Sequence, residues 1–194
     1  METKKITLYS LNQEEYPNIE IECAVVEDMT EFTKKYLDYL RLEKNEQPKV
    51  AKKTAQVEAV KGGVGQEVDT RVRVRYNGKL YVLSETKGTV KVEESMIVKN
   101  PDGEEYIVKP DKFDAKYEKT ENEGKYLPKG DAIKCVIVDK PIVFTAPWGE
   151  EMVALEGAAL NVTNVEDVYA IQNEAFDKTY EDISVTQKEI TTAD

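Results

Sequence analysis

Three arginines of this 194-residue chain are spaced so that they could bind an anion together. Arg71, Arg73 and Arg75 alternate with apolar residues, so a β-strand would place all three guanidinium groups on one face. Such a face can bind an anion, because a guanidinium donates paired hydrogen bonds to carboxylate or phosphate. The alternative is the solvated side of a sheet that faces nearby glutamates. The sequence leaves both interpretations open.

A single tryptophan, Trp148, is the second candidate. It lies in a turn-rich segment, residues 145–150, between two predicted strands. A tryptophan at a loop tip can anchor a binding partner, because large aromatic side chains dominate binding hot spots. It can equally fold back as a lid on the core. The tip position is predicted, and both roles are kept.

Two pairs of adjacent carboxylates, Glu104–Glu105 and Glu150–Glu151, precede predicted strands. Paired carboxylates can act as acid and base when burial separates their pKa values. Neighbouring residues of a strand point to opposite faces, however, so we predict solvated turns for both pairs. The chain has no histidine, which removes histidine-based nucleophile systems and histidine-containing metal sites. We therefore predict a protein that is not an enzyme.

No cofactor or metal site is predicted. Cys23 and Cys135 are far apart, and Cys135 lies in an apolar run that predicts a buried thiol. The glycine-rich residues 61–65 lack the Lys-Ser/Thr and the helix that a phosphate-binding loop needs. Residues 100–103 have the composition of a plain turn and lack the ligand spacing of an EF-hand.

One aromatic signature occurs twice without a gap, as a tyrosine, a phenylalanine, and a tyrosine followed by glutamate. The copies are Tyr106, Phe113, Tyr117, Glu118 and Tyr169, Phe176, Tyr180, Glu181. We predict that each copy is a strand, a turn and one helical turn, with Asp111 or Asn173 as its cap. The phenylalanine and the second tyrosine are four residues apart, so both would lie on one helix face and close over the sheet. This predicts a structural role for the signature.

The second half of each copy resembles small phage and bacterial proteins of unknown function. These proteins open on a Lys-Lys-Pro-Val-Val-Val-Glu-Ala strand, carry a Pro-Gly-Asp-Tyr segment, and end in Lys-Pro-x-x-Phe-x-x-x-Tyr-Glu. Here Lys109–Pro110 leads to the first signature, and Lys52–Lys53 precedes a similar strand at residues 57–60. The Pro-Gly-Asp-Tyr segment is altered in both copies. The resemblance covers residues 50–183 in patches and implies an architecture and a phage origin, but no activity.

The elements around these residues predict an α+β fold with a mainly antiparallel sheet, because the connections are too short for parallel crossovers. A helix is predicted for residues 28–45, with Asp28 as its cap and one apolar stripe. Asn77–Gly78 predicts a hairpin. We predict N-terminal strands and this helix over 1–48, β-rich modules over 49–120 and 121–183, and a loosely packed polar tail over 184–194.

The net charge of −11 opposes broad nucleic-acid binding, because phosphate contacts need clustered lysine and arginine. No signal peptide or apolar span is seen, so a cytoplasmic location away from membranes is expected. The leading functional hypothesis is a non-catalytic interaction or structural module with a protein partner, and a homo-oligomer is left open. The alternative is a protein that binds a small anionic ligand in the cleft between the two copies.

Overall fold

A computed structural model describes residues 2–184 and shows an α+β protein with three helices and 18 strands among them. All but one of the strand pairs are antiparallel, which confirms the predicted fold class. The helices are α1 Met29–Glu43, α2 Pro110–Lys116 and α3 Asn173–Thr179. Residues 185–194, most of the predicted tail, lie outside the described residues. Ser184 accepts a hydrogen bond from the amide of Val50 at 2.8 Å.

The strands are short and follow one another from residue 3 to residue 182. In chain order they are β1 Thr3–Ser10, β2 Ile19–Val25, β3 Lys49–Lys53, β4 Val57–Lys61, β5 Glu67–Val68, β6 Arg73–Tyr76, β7 Lys79–Val82, β8 Gly88–Thr89, β9 Met96–Lys99, β10 Glu105–Val108, β11 Tyr117–Lys119, β12 Lys125–Pro128, β13 Ile133–Ile137, β14 Ile142–Thr145, β15 Glu151–Ala154, β16 Ala159–Asn161, β17 Tyr169–Ile171 and β18 Tyr180–Asp182.

Two five-stranded sheets have corresponding orders. The first five-stranded sheet runs β10-β9-β4-β12-β11, and the second runs β17-β16-β13-β3-β18. In each sheet a seven-residue helix connects the two edge strands: α2 lies between β10 and β11, and α3 lies between β17 and β18. The two aromatic signatures therefore occupy corresponding places in the two sheets.

The two sheets each take one strand from the other side of the predicted module boundary at residue 120. Strand β3 directly precedes β4 of the first sheet, yet it pairs with β13 and β18 of the second. Conversely, β12 precedes β13 of the second sheet and pairs with β4 and β11 of the first. Neither predicted module thus holds all strands of its own sheet.

The N-terminal residues do not stand apart either. A six-stranded sheet of order β15-β14-β2-β1-β7-β6 joins them to both later parts of the chain. Its β2–β14 pair is parallel, with Ile142 opposite Ala24. This one parallel pair is compatible with the predicted mainly antiparallel sheet, because β2 and β14 are connected through much of the chain and not by a short turn.

Helix α1 begins as predicted, because the Asp28 carboxylate accepts a hydrogen bond from the amide of Glu31 at 3.0 Å. Its Phe32 and Tyr36 pack on a core cluster that includes Val136 and Leu160. The Asn77–Gly78 hairpin is confirmed between β6 and β7. Asn77 and Gly78 adopt positive φ angles of 50° and 75°, as the tightest hairpin turn requires.

Candidate functional site

The second tyrosine of each signature starts a strand and does not lie on the helix face. Tyr117 and Tyr180 have extended backbones, with ψ angles of 148° and 150°, and begin β11 and β18. That part of the prediction is wrong, because these residues pair with a neighbouring strand instead of extending a short helix. The aromatic contact nevertheless forms. The ring centroids of Phe113 and Tyr117 are 5.3 Å apart, and those of Phe176 and Tyr180 are 5.4 Å apart.

The predicted caps are also wrong. The residues that precede the two helices are Lys109 and Gln172, and neither makes a side-chain cap. Asp111 and Asn173 lie inside the first turn. The Asn173 side chain instead accepts a hydrogen bond from the amide of Arg75 and donates to the Arg75 carbonyl, both at 2.8 Å. It therefore ties α3 to the edge of the six-stranded sheet.

The signature tyrosines bring opposite edges of a sheet together. The hydroxyls of Tyr106 on β10 and Tyr117 on β11 are hydrogen-bonded, although these strands are the two edges of the first sheet. This sheet is therefore strongly curved, with α2 connecting its edges. In the second sheet burial, and secondly the nearby Tyr169 and Tyr117, raises the pKa of Tyr180 to about 12. Glu118 and Glu181 are exposed.

Lys53 joins the two sets of tyrosines. It lies on β3 directly opposite Tyr180 of the second sheet. Its ammonium Nζ donates to the hydroxyls of Tyr106 and Tyr117 of the first sheet, at 3.3 Å each, and lies 5.6 Å from both ring centroids. Within residues 2–184 no carboxylate lies at ion-pair distance from this half-buried ammonium. Lys53 is thus a cation whose observed partners are uncharged.

Two neighbouring cavities meet at Lys53. The tyrosine cavity, of about 620 Å³, is lined by Lys53 and by the four signature tyrosines, Tyr106, Tyr117, Tyr169 and Tyr180. The tryptophan cavity, of about 780 Å³, has among its lining residues Lys53, Asn100, Glu104, Trp148 and Gln172. Together they form what we call the cleft. Sequence reasoning did not identify Lys53 as a site residue, because its tyrosine partners lie on strands distant in sequence.

Glu104 corrects the prediction of solvated glutamate turns. The turn at residues 100–103 is confirmed, but Glu104 after it is half-buried at the wall of the tryptophan cavity. Burial, and secondly the Asp102 carboxylate, raises the pKa of Glu104 to about 7, against the opposing effect of Lys53 and Arg73. Glu150 and Glu151 are exposed, as predicted.

The three arginines do not form one open anion site. Arg71 forms a two-bond ion pair with Asp69, at 2.7 and 2.9 Å. Arg75 pairs with Glu174 at 2.6 Å and with Asp177, both on α3. Arg73 donates a long hydrogen bond to the Asp102 carbonyl. Acidic and carbonyl groups of the protein itself face the arginines, as in the alternative interpretation.

Trp148 lies at the tip of the β14–β15 hairpin, as predicted, and is 57% exposed. Its ring centroid is 6.0 Å from that of Tyr169. This exposure fits a binding anchor better than a core lid. Cys23 and Cys135 are both buried free thiols, and burial raises the pKa of Cys135 to about 11.

The chain was compared with known proteins. No family model, curated protein or solved structure matches it. The resemblance to small phage proteins therefore stays a prediction. Over the described residues no group of three or more Cys, Asp and Glu side chains could hold a metal ion. None of the described helices is long and apolar enough to cross a membrane.

Proposed function

We propose that this protein is a non-catalytic binding module that takes a small anionic ligand in the cleft. The observation that carries the proposal is Lys53, a half-buried ammonium held by two tyrosine hydroxyls and by no carboxylate within the described residues. An ammonium has three N–H donors, and two of these are directed to Tyr106 and Tyr117. The third can meet a carboxylate or phosphate oxygen, in a charge-assisted hydrogen bond that is stronger than a neutral one.

The surroundings of Lys53 support a small ligand. The two cavities of about 620 and 780 Å³ are within the range typical of small-molecule sites, about 300–1,000 Å³. Their walls combine aromatic rings with a few polar groups, which is the usual composition of such sites. The three arginines that the sequence analysis considered for anion binding already bond to acidic or carbonyl groups of the protein. In the proposal Lys53 binds the anion instead.

A protein-interaction module is the second candidate, and Trp148 favours it. The indole is more than half exposed at a hairpin tip, where it could enter a pocket of a partner. We further propose that the two five-stranded sheets derive from one duplicated module, which their corresponding strand orders support. A phage origin is proposed from the sequence resemblance alone. A cytoplasmic location is also proposed, and the two buried free thiols are compatible with it.

Replacing Lys53 by methionine should abolish stabilisation by small anions. In a thermal-shift screen of phosphate, sulfate, citrate and simple carboxylates, a ligand present at about 100 times its Kd should stabilise the protein by about 2.7 kcal/mol, or roughly 5–10 °C in Tm. Lys53→Met should lose this shift, because it removes the ammonium that binds the anion. Methionine is chosen because it keeps a side chain of similar length. Lys52→Met is the matched control and should keep it, since Lys52 is exposed on the opposite face of β3. A full shift in Lys53→Met would contradict the proposal.

Trp148 should report on ligand entry, because it is the only tryptophan and lines the cavity that Lys53 lines. An anion that occupies the tryptophan cavity should displace water from the exposed indole, so its emission maximum should move to shorter wavelength. Trp148→Phe should remove this signal and retain the thermal shift. If no small anion stabilises the protein, and Trp148→Phe abolishes its binding to a protein partner, the interaction module is the better proposal.

A further inference from the structure

The tryptophan cavity has polar lining residues besides Lys53. Glu104, Asn100 and Gln172 all line it, from the turn after β9 and from the residue before α3. Asn100 and Gln172 are 7% and 6% exposed. Three side chains that carry acceptor oxygens thus accompany the Lys53 ammonium in one cavity.

Two of these side chains carry an oxygen without a hydrogen-bond partner. The Gln172 Nε2 donates to the Val153 carbonyl at 2.6 Å, which fixes the amide and leaves Oε1 unpartnered. Asn100 Oδ1 is also unpartnered. A buried acceptor that lacks a donor destabilises the folded protein. Donors brought by a ligand would remove this destabilisation.

The titratable groups near Glu104 come from four parts of the chain. Asp102 lies in the same turn, Arg73 on β6, Lys53 on β3 and Tyr106 on β10. Arg73 is directed to the Asp102 carbonyl, and Lys53 to the tyrosine hydroxyls. In the described residues Glu104 has no ion-pair partner at close range. A ligand cation beside Glu104 would supply this missing charge.

We infer that the ligand of the cleft is an amino-acid-type zwitterion. Its carboxylate meets Lys53, and its ammonium meets Glu104 together with the amide oxygens of Asn100 and Gln172. An ammonium matches these three acceptor groups because it is cationic and has three donors. An apolar side chain on the ligand would lie against Trp148. The inference rests on the proposed anion site and adds the class of ligand that the site selects.

Paired ligands test the inference by isothermal titration calorimetry at pH 8. The probes are glycine, alanine, phenylalanine and glutamate, each compared with its N-acetyl derivative, which keeps the carboxylate and lacks the ammonium. At least one free amino acid should bind about 10-fold or more tightly than its acetylated form, since a hydrogen bond between charged groups is stronger than one between neutral groups. Glu104→Gln should remove this preference, and Lys53→Met should weaken both forms.

The pH dependence is a second readout. The pKa of Glu104 is raised to about 7, so lowering the pH from 8 to 6 protonates this carboxyl. The affinity for the free amino acid should then fall more than the affinity for the acetylated form. Equal binding of both forms, still dependent on Lys53, would overturn the zwitterion inference and leave the anion site standing. Failure of every probe to bind would overturn the inference, and the phosphate and carboxylate screen would then decide the anion site separately.

Discussion

Replacing Glu104 by glutamine should stabilise the unliganded protein at pH 8 by about 1–3 kcal/mol. The pKa of this carboxyl is about 7 in the folded protein and takes its ordinary value of 4.5 when the chain unfolds. Between these values the folded state binds the additional proton. The stability that this proton contributes is fully present below pH 4.5 and is lost as the pH rises through 7. Glutamine cannot ionise, so the variant avoids the loss.

Urea denaturation at pH 5, 6, 7 and 8 would measure this effect. The difference in the free energy of unfolding between Glu104→Gln and the parent protein should be small at pH 5 and should grow through pH 7. Glu150→Gln is the matched control, because Glu150 lines the same cavity and is exposed. A difference that is the same at all four values would assign the effect to packing and not to ionisation.

The same charge that destabilises the free protein is useful to a binding site. A carboxylate held in a half-buried turn beside Asp102 is costly until a cation arrives. Sites with a function commonly break the rules that favour stability. Glu104→Gln should therefore gain stability and lose the preference for a free ammonium, and this opposite change in two measurements would not follow from a merely structural role.

Local features of this fold could be predicted from the sequence. The cap at Asp28, the hairpin at Asn77–Gly78 and the hairpin-tip position of Trp148 each depend on residues close in the chain. Period-2 alternation likewise indicates that a segment is a strand and which face it buries. These signals were sufficient for an α+β fold with a mainly antiparallel sheet.

Which strands pair with each other could not be predicted from the sequence. Alternation in residues 49–53 says nothing about whether β3 pairs with the strand that follows it or with β13 and β18. The hydrogen bonds of Lys53 with Tyr106 and Tyr117 therefore could not be predicted from the sequence. The burial of Glu104 also depends on groups from distant parts of the chain. A single sequence does not show that these groups lie close together in the fold.

Removing the phenylalanine ring of the first signature should have the largest effect on stability. Phe113 is 5% exposed, and its ring contacts Tyr117 and Tyr126 with centroids 5.3 and 4.9 Å away. Phe113→Ala leaves a cavity among Val57, Val98 and these rings. We expect a loss of about 3–5 kcal/mol in the free energy of unfolding, measured by urea denaturation.

Phe176 of the second signature provides the comparison within the same chain. It contacts Tyr180 at a similar centroid distance of 5.4 Å but is only partly buried. Phe176→Ala should therefore cost less, about 1–3 kcal/mol. Phe113 also supports the Tyr117 ring whose hydroxyl accepts from Lys53, so Phe113→Leu, which refills part of the cavity, should fold and still weaken anion binding. Equal losses of stability from the two alanine variants would mean that the two signatures are equivalent in the core, despite their different burial.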